Sequence, residues 1–189
     1  LNAYIYGPKD DPFHGFGNRW RDPYPADKAA QIKELAETAR KNYVNFIWAV
    51  HPGNNISWTD NDGDGVIDDF KACIKKFEMM YALGVRAFAV FFDDIGGEGA
   101  KPERQVEMLN YINREFIKKK NTVKRNDVAP LVLCPTEYAG TGDSNYRKIL
   151  GEGLDKDISV MWTGPGICSD IPAGPTQRIG ELLKRPPFI

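Results

Sequence analysis

No apolar run in this 189-residue chain approaches the roughly 18–20 residues of a helical membrane span. Cysteine is scarce. Cys73, Cys134 and Cys168 stand far apart, with no CxxC pair and no Cys/His cluster, which excludes a disulfide framework and a zinc centre. The three read as free thiols. Charge of one sign is also lacking: 25 Lys plus Arg stand against 26 Asp plus Glu, a net charge of −1. A nucleic-acid partner therefore gains no support from bulk electrostatics. Low-complexity tracts are missing too, and 42% hydrophobic, 27% charged and 12% aromatic residues describe a folded globular chain rather than a disordered one. We read residues 1–189 as a single domain. The chain opens on Leu1 without an initiator Met or signal peptide and closes on Pro186-Pro187-Phe188-Ile189, so both ends read as cut.

What is present is an alternation of short apolar runs with longer amphipathic ones. Residues 3–6, 44–50, 85–92, 130–134 and 158–162 read as strands. Helices are expected over 25–41, 66–83, 102–119, 144–153 and 175–184, with Gly84 closing the second. The tail at 186–189 reads as the start of a sixth strand. Strict β-α alternation implies parallel strands joined by right-handed crossovers. An open doubly wound sheet and a (β/α)8 barrel compete. No glycine-rich phosphate loop comes after any strand, which weakens the first. The segments after the strands are instead polar and aromatic: Lys9-Asp10-Asp11, His51-Pro52-Gly53, Asp93-Asp94, Thr136-Glu137-Tyr138 and Trp162-Thr163-Gly164. Functional residues at the C-terminal ends of parallel strands mark a barrel active site. A full barrel takes about 250 residues. The expected fold is therefore α/β, an incomplete (β/α)8 TIM barrel.

The sharpest feature is Asp93-Asp94, which ends the most hydrophobic strand. Side chains alternate along a strand, so both acids reach a barrel mouth only if the strand end twists. Mutual repulsion should raise one pKa and leave the other group ionised, as an acid/base pair requires. An N-cap role for either acid explains the spacing equally well.

The segments YGPKDDPFH (6–14), WRDPYP (20–25), FIWAVHPG (46–53), LGVRAFAVFFDDI (83–95), LCPTEY (133–138) and VMWTGPG (160–166) occur in one order. Together they resemble the catalytic barrel of glycoside hydrolase family 84, the β-N-acetylglucosaminidases that include the O-GlcNAcases and bacterial enzymes labelled hyaluronidases. The resemblance implies strands 2 to 6 of the barrel plus the start of strand 7. It implies a retaining exo-hydrolase of terminal β-linked N-acetylglucosamine in which the substrate's 2-acetamido oxygen is the nucleophile and forms an oxazoline, outside the two-carboxylate scheme. It implies that Asp93 orients the acetamido group, that Asp94 is the general acid and base, and that Lys9 bonds a sugar hydroxyl. Tyr138, Cys134, Thr163 and Trp162 are the further substrate-binding candidates, with Tyr138 and Cys134 at the acetamido pocket. The family's first strand would precede Leu1, and a Trp-Trp-Asn segment with later sugar-binding Asp and Asn residues would come after Ile189. A carbohydrate-binding pseudo-enzyme or an inactive barrel fragment is thus an open alternative. A magnesium enzyme using Asp93 and Asp94 as ligands ranks last, because no lysine or phosphate loop adjoins the pair in sequence.

A second acidic stretch, Asp60-Asn61-Asp62-Gly63-Asp64-Gly65-Val66-Ile67-Asp68, matches the first nine positions of an EF-hand-type loop. Asp60, Asp62, Asp64, the Val66 carbonyl and Asp68 would supply oxygen ligands to a structural Ca2+, while position 12 is Lys71 rather than glutamate. Asp69 is the nonstandard replacement ligand. The alternative is an acidic turn capping the next helix. No cofactor is expected for catalysis. The expected partner is a GlcNAc-containing glycan or glycoprotein, with a second copy of the chain covering exposed barrel edges. The compartment leans secreted or periplasmic.

Overall fold

Short runs that are apolar at nearly every position must be buried on both faces. The computed structural model, which describes residues 2–15 and 19–189, buries them in one parallel sheet. Its strands are β1 (Ala3–Tyr6), β2 (Asn45–Val50), β3 (Ala87–Phe91), β4 (Val132–Cys134) and β5 (Ser159–Val160). Between and after them run α1 (Ala26–Lys41), α2 (Asp68–Ala82), α3 (Pro102–Ile112), α5 (Asn145–Gly153) and α6 (Ala173–Leu183). Beyond α3 the rod continues through a wide π-helical turn, Asn113–Lys118, into α4 (Lys119–Val123). The sequence predicts none of this widening. It sits where buried Asn113 donates its amide to Asp155 and Asp157, both at 2.9 Å. The tail enters the sheet: Phe188 forms a parallel bridge with Met161, and its N–H donates to the Val160 carbonyl at 2.8 Å.

The strand order is β1-β2-β3-β4-β5 with every neighbour parallel, so the order never reverses. Alternating residues sort cleanly onto two faces. Phe46, Trp48 and Val50 of β2 and Phe88, Val90 and Phe92 at β3 pack among helix residues such as Ile32, Phe77 and Phe116. Phe77 stacks on Phe88 at 4.7 Å between centroids, and Phe116 meets Phe88 edge-on at 5.0 Å. The opposite face carries Ile47, Ala49, Ala87, Ala89 and Val132, flanked by Ala3, Ile5, Phe91, Met161 and Phe188, with no helix among them. Among the described residues helices lie on one face only and the order does not reverse, which excludes the doubly wound alternative. The inner face carries alanines in β2 and β3 and is concave. Ile5 of β1 and Met161, which comes just after β5, line one cleft of about 450 Å³ together with Phe91. In a flat sheet four strand spacings of about 4.8 Å would separate them.

Candidate active site

The inward-facing set of each strand continues past its C-terminal end. Ala3 and Ile5 lead to Lys9, Ile47 and Ala49 to His51, Ala87, Ala89 and Phe91 to Asp93, Val132 to Cys134, and Met161 to Thr163. A period of two therefore gathers these residues at one end of the concave face.

Asp93 and Asp94 are both there, and the backbone makes the twist that alternation requires. Asp94 takes a left-handed conformation, φ 58°, which a short polar side chain tolerates better than most. The two acids end in different surroundings: the Asp93 side chain is 15% exposed and that of Asp94 65%. Lys9 reaches both, with Nζ 2.6 Å from Asp93 Oδ2 and 3.8 Å from Asp94 Oδ2. The lysine that adjacent sequence lacks is thus supplied across the sheet. His51 closes the other side, its Nε2 2.8 Å from the Asp93 carbonyl and 3.4 Å from Asp93 Oδ1. Burial pushes Asp93 up, but the nearby His51 ring nitrogen and then the Lys9 hydrogen bond outweigh it and hold the carboxyl at about 2. Asp93 is therefore the group kept ionised, and its neighbours rather than repulsion from Asp94 set that state.

Cys134 is buried at the end of β4, and burial, with the Asp93 charge second, pushes its thiol up to about 12. It behaves as a small apolar wall and not as a nucleophile. Tyr138 stands half-buried beside the acids. Burial first, then the charges of Asp94 and Asp93, raise its phenol. Thr163 uses its main-chain N–H on the Tyr138 carbonyl at 2.9 Å and its hydroxyl on the Gly166 carbonyl at 3.1 Å. It anchors Tyr138. Trp162 lies wholly in the core on the helix side, and its indole N–H donates to the Gly140 carbonyl at 2.9 Å. It offers no ring face to a ligand and supports the 138–140 segment from beneath.

Two supporting residues, Arg147 and Gln105, escape sequence reasoning. Buried Arg147 donates to the carbonyls of Gly142 at 2.8 Å, Glu137 at 3.3 Å and Ala139, clamping the loop that carries Tyr138. Buried Gln105 donates to the Gly99 carbonyl and to Thr136 Oγ1, both at 2.8 Å, and accepts from the Tyr146 hydroxyl. Thr136 in turn donates to the Phe92 carbonyl at 2.9 Å, directly before the acid pair. In sequence Arg147 and Gln105 each read as one more polar position of a helix.

The acidic loop lies elsewhere, before α2. Carboxylate oxygens of Asp60, Asp62 and Asp68 come within 4.8 Å of one another. Lys71 Nζ sits among the acids, 2.8 Å from Asp62 Oδ2, 3.1 Å from Asp64 Oδ2 and 3.1 Å from Asp68 Oδ1. Asp60 accepts from the N–H groups of Gly63 and Gly65, both at 2.8 Å. The loop thus carries its own cation, and this donor set does not fit calcium. Asp69 is no replacement ligand: its carboxylate is held by Arg21 and by the Ser57 N–H.

Comparisons with known proteins agree on one family. A family model described as beta-N-acetylglucosaminidase matches residues 1–189. The protein O-GlcNAcases of Rattus norvegicus and Mus musculus are each 30% identical over 196 residues, across 100% of this chain and 20% of theirs. The solved structure of CpGH84B matches at TM-score 0.87 and 38% identity, over 100% of this chain and 33% of that one. A variant of the Thermobaculum terrenum O-GlcNAc hydrolase matches at TM-score 0.82 and 30% identity, over 100% of this chain and 40% of that one. The chain spans 20% of the length of these curated relatives.

Proposed function

The chain belongs to the β-N-acetylglucosaminidases of glycoside hydrolase family 84, and from that premise we propose that the protein hydrolyses terminal β-linked N-acetylglucosamine with retention of configuration. In this reading β1 to β5 are the second to sixth strands of an eight-stranded barrel, and Phe188 opens the seventh. The 2-acetamido oxygen of the substrate attacks the anomeric carbon while the bond to the leaving oxygen breaks. Asp94 gives its proton to that oxygen. Asp93 accepts the acetamido N–H and stabilises the positive charge that develops on the forming oxazoline. Asp94, now a carboxylate, takes a proton from water as that water attacks the anomeric carbon and opens the ring. Lys9 bonds a sugar hydroxyl, Tyr138 and Cys134 shape the acetamido pocket, and Thr163 and Trp162 hold Tyr138 from behind.

The observation that carries this reading is the asymmetry of the pair. Asp93 is enclosed and held ionised by Lys9 and His51, whereas Asp94 faces solvent, where a leaving group departs and water arrives. The magnesium reading loses its footing because the Lys9 ammonium already sits on both carboxylates. The test uses the full-length protein and aryl N-acetyl-β-glucosaminides. Asp94→Ala is expected to slow poor leaving groups by about 10²–10⁴ and activated ones far less, because only the former need the proton. Equal loss on both series refutes the assignment.

A further inference from the structure

One buried group at this site has no part in the proposed reaction. His51 is the inward residue just past the end of β2, and it is 0% exposed. It is gripped from behind. Its main-chain N–H donates to the His14 carbonyl at 2.8 Å. A Cβ on Gly15 would stand 2.7 Å from the His51 carbonyl oxygen and 2.9 Å from its Cβ, so only glycine lets the loop after β1 lie this close. The imidazole is turned across to the end of β3, with Nε2 on the Asp93 carbonyl at 2.8 Å and 3.4 Å from the carboxylate Oδ1. The other carboxylate oxygen belongs to Lys9 at 2.6 Å. The two grips are unequal. The Lys9 side chain is 44% exposed and that of His51 0%. Water and salt weaken the first far more than the second. Lys9 is also the arm that the proposed reaction sends to a sugar hydroxyl.

We propose that His51 is a positioning residue for Asp93: its Nε2–H fixes the orientation and the ionised form in which that carboxylate receives the acetamido N–H, and it keeps doing so when Lys9 engages the sugar. This rests on the role proposed for Asp93 in the reaction. A carboxylate already oriented by a buried donor needs no rearrangement as charge develops opposite it. Burial works against the anion here, and the His51 Nε2–H, bonded to the Asp93 main-chain carbonyl and 3.4 Å from Oδ1, acts with Lys9 to overcome it. The other ionisable groups around Asp93 are Lys9, Asp94, Cys134, Tyr138 and, behind His51, His14. Burial lowers His14 to about 4, within the same acid range, so the titration has to be read on Asp93 itself.

The experiment labels aspartate carboxyls with carbon-13 in the full-length protein and assigns Asp93 by the loss of its signal in Asp93→Asn. In His51→Phe, which keeps a ring and loses the donor, the Asp93 midpoint is expected to rise by about one pH unit or more, and His51→Gln, which restores an N–H, brings it back down. On aryl N-acetylglucosaminides, His51→Phe lowers kcat by about tenfold or more with KM little changed, equally for good and poor leaving groups. Loss of the general acid would instead depend on the leaving group. Should His51→Phe fail to fold, His51→Leu, which also lacks the donor, takes its place in the same titration of Asp93. An unmoved Asp93 midpoint in the folded variant overturns the proposal. Expected midpoint shifts in a protein that hydrolyses no aryl N-acetylglucosaminide overturn the proposed reaction and leave the pairing standing.

Discussion

Lys76 offers a sharp test of how the loop carrying Lys9 is held. It lies on α2, is 0% exposed, and among the described residues has no carboxylate partner. Its Nζ donates to the Asp22 carbonyl at 2.6 Å and lies over the rings of Tyr24 at 4.4 Å, Phe13 at 5.8 Å and Trp48 at 5.8 Å. Burial, only partly offset by Asp11 and Asp22, lowers its pKa from 10.5 to about 8. Between those values the unfolded chain binds the proton and the folded chain releases it, so stability must rise with pH. The linkage integral from pH 7 to 9 is about 1.4 kcal/mol in favour of folding. Two buried thiols oppose it. Burial raises Cys73 and takes Cys134 to about 12, so the folded state keeps protons that the unfolded thiols lose near 9. Together they remove about 0.8 kcal/mol by pH 9. The useful quantity is therefore the difference between wild type and Lys76→Met, an unbranched replacement of similar length. Urea unfolding at pH 7, 8 and 9 should show wild type gaining about 1.4 kcal/mol on the variant. A difference that stays flat across this range refutes the aromatic enclosure of the ammonium and the closure of Phe13, Asp22 and Tyr24 over α2.

His14 should act on the acid side. Its pKa is lowered from 6.5 to about 4, chiefly by burial, so the stability present above pH 6.5 is lost as pH falls towards 4. About 2 kcal/mol should disappear between pH 7 and 5 in wild type and not in His14→Gln, read by urea unfolding. At the acidic loop, isothermal titration of wild type with calcium should give no binding heat, whereas Lys71→Glu, which removes the internal cation and supplies the position-12 ligand, should bind. Binding by wild type would refute the internal-cation reading. On the α5–α6 contact, a Cβ on Gly151 would stand 2.2 Å from the Leu182 carbonyl oxygen, while one on Gly174 meets nothing within 4 Å. Gly151→Ala should lose about 1–3 kcal/mol, and Gly174→Ala none, in parallel thermal melts.

The fold was legible because a parallel strand buried on both faces leaves a run that little else produces. VNFIWAV and VRAFAVFF are such runs, and their β-α spacing set the element order. Helix boundaries drifted where tertiary partners decide them. The rod expected to end at residue 119 runs on to Val123, through a turn opened by the Asn113 contacts with Asp155 and Asp157. Lys76 reads in sequence as the solvent side of an amphipathic helix, and only the folded loop shows that the helix is covered there. Trp162 had the opposite fate. Its place at a strand end made it a substrate-binding candidate beside a packing role, and the packing role is the one seen: Val160 of β5 and Trp162 just beyond it share the helix-facing side, opposite to Met161.

That alternation also explains how two adjacent acids come to differ. Asp93 falls in the inward set with Phe91, so the sheet itself aims it at Lys9 and His51. Asp94, one residue on, belongs to the opposite set and would be driven towards the helices with Phe92. The left-handed turn at Asp94 sends it to solvent instead, still within 3.8 Å of Lys9. Mutual repulsion, the cause expected from sequence, is not needed to separate the two groups. One carboxylate is buried among donors and the other is turned outward, and a residue of backbone is enough to divide them. A substitution that relaxes this turn without touching either carboxylate would therefore damage the division of roles before it damaged the fold.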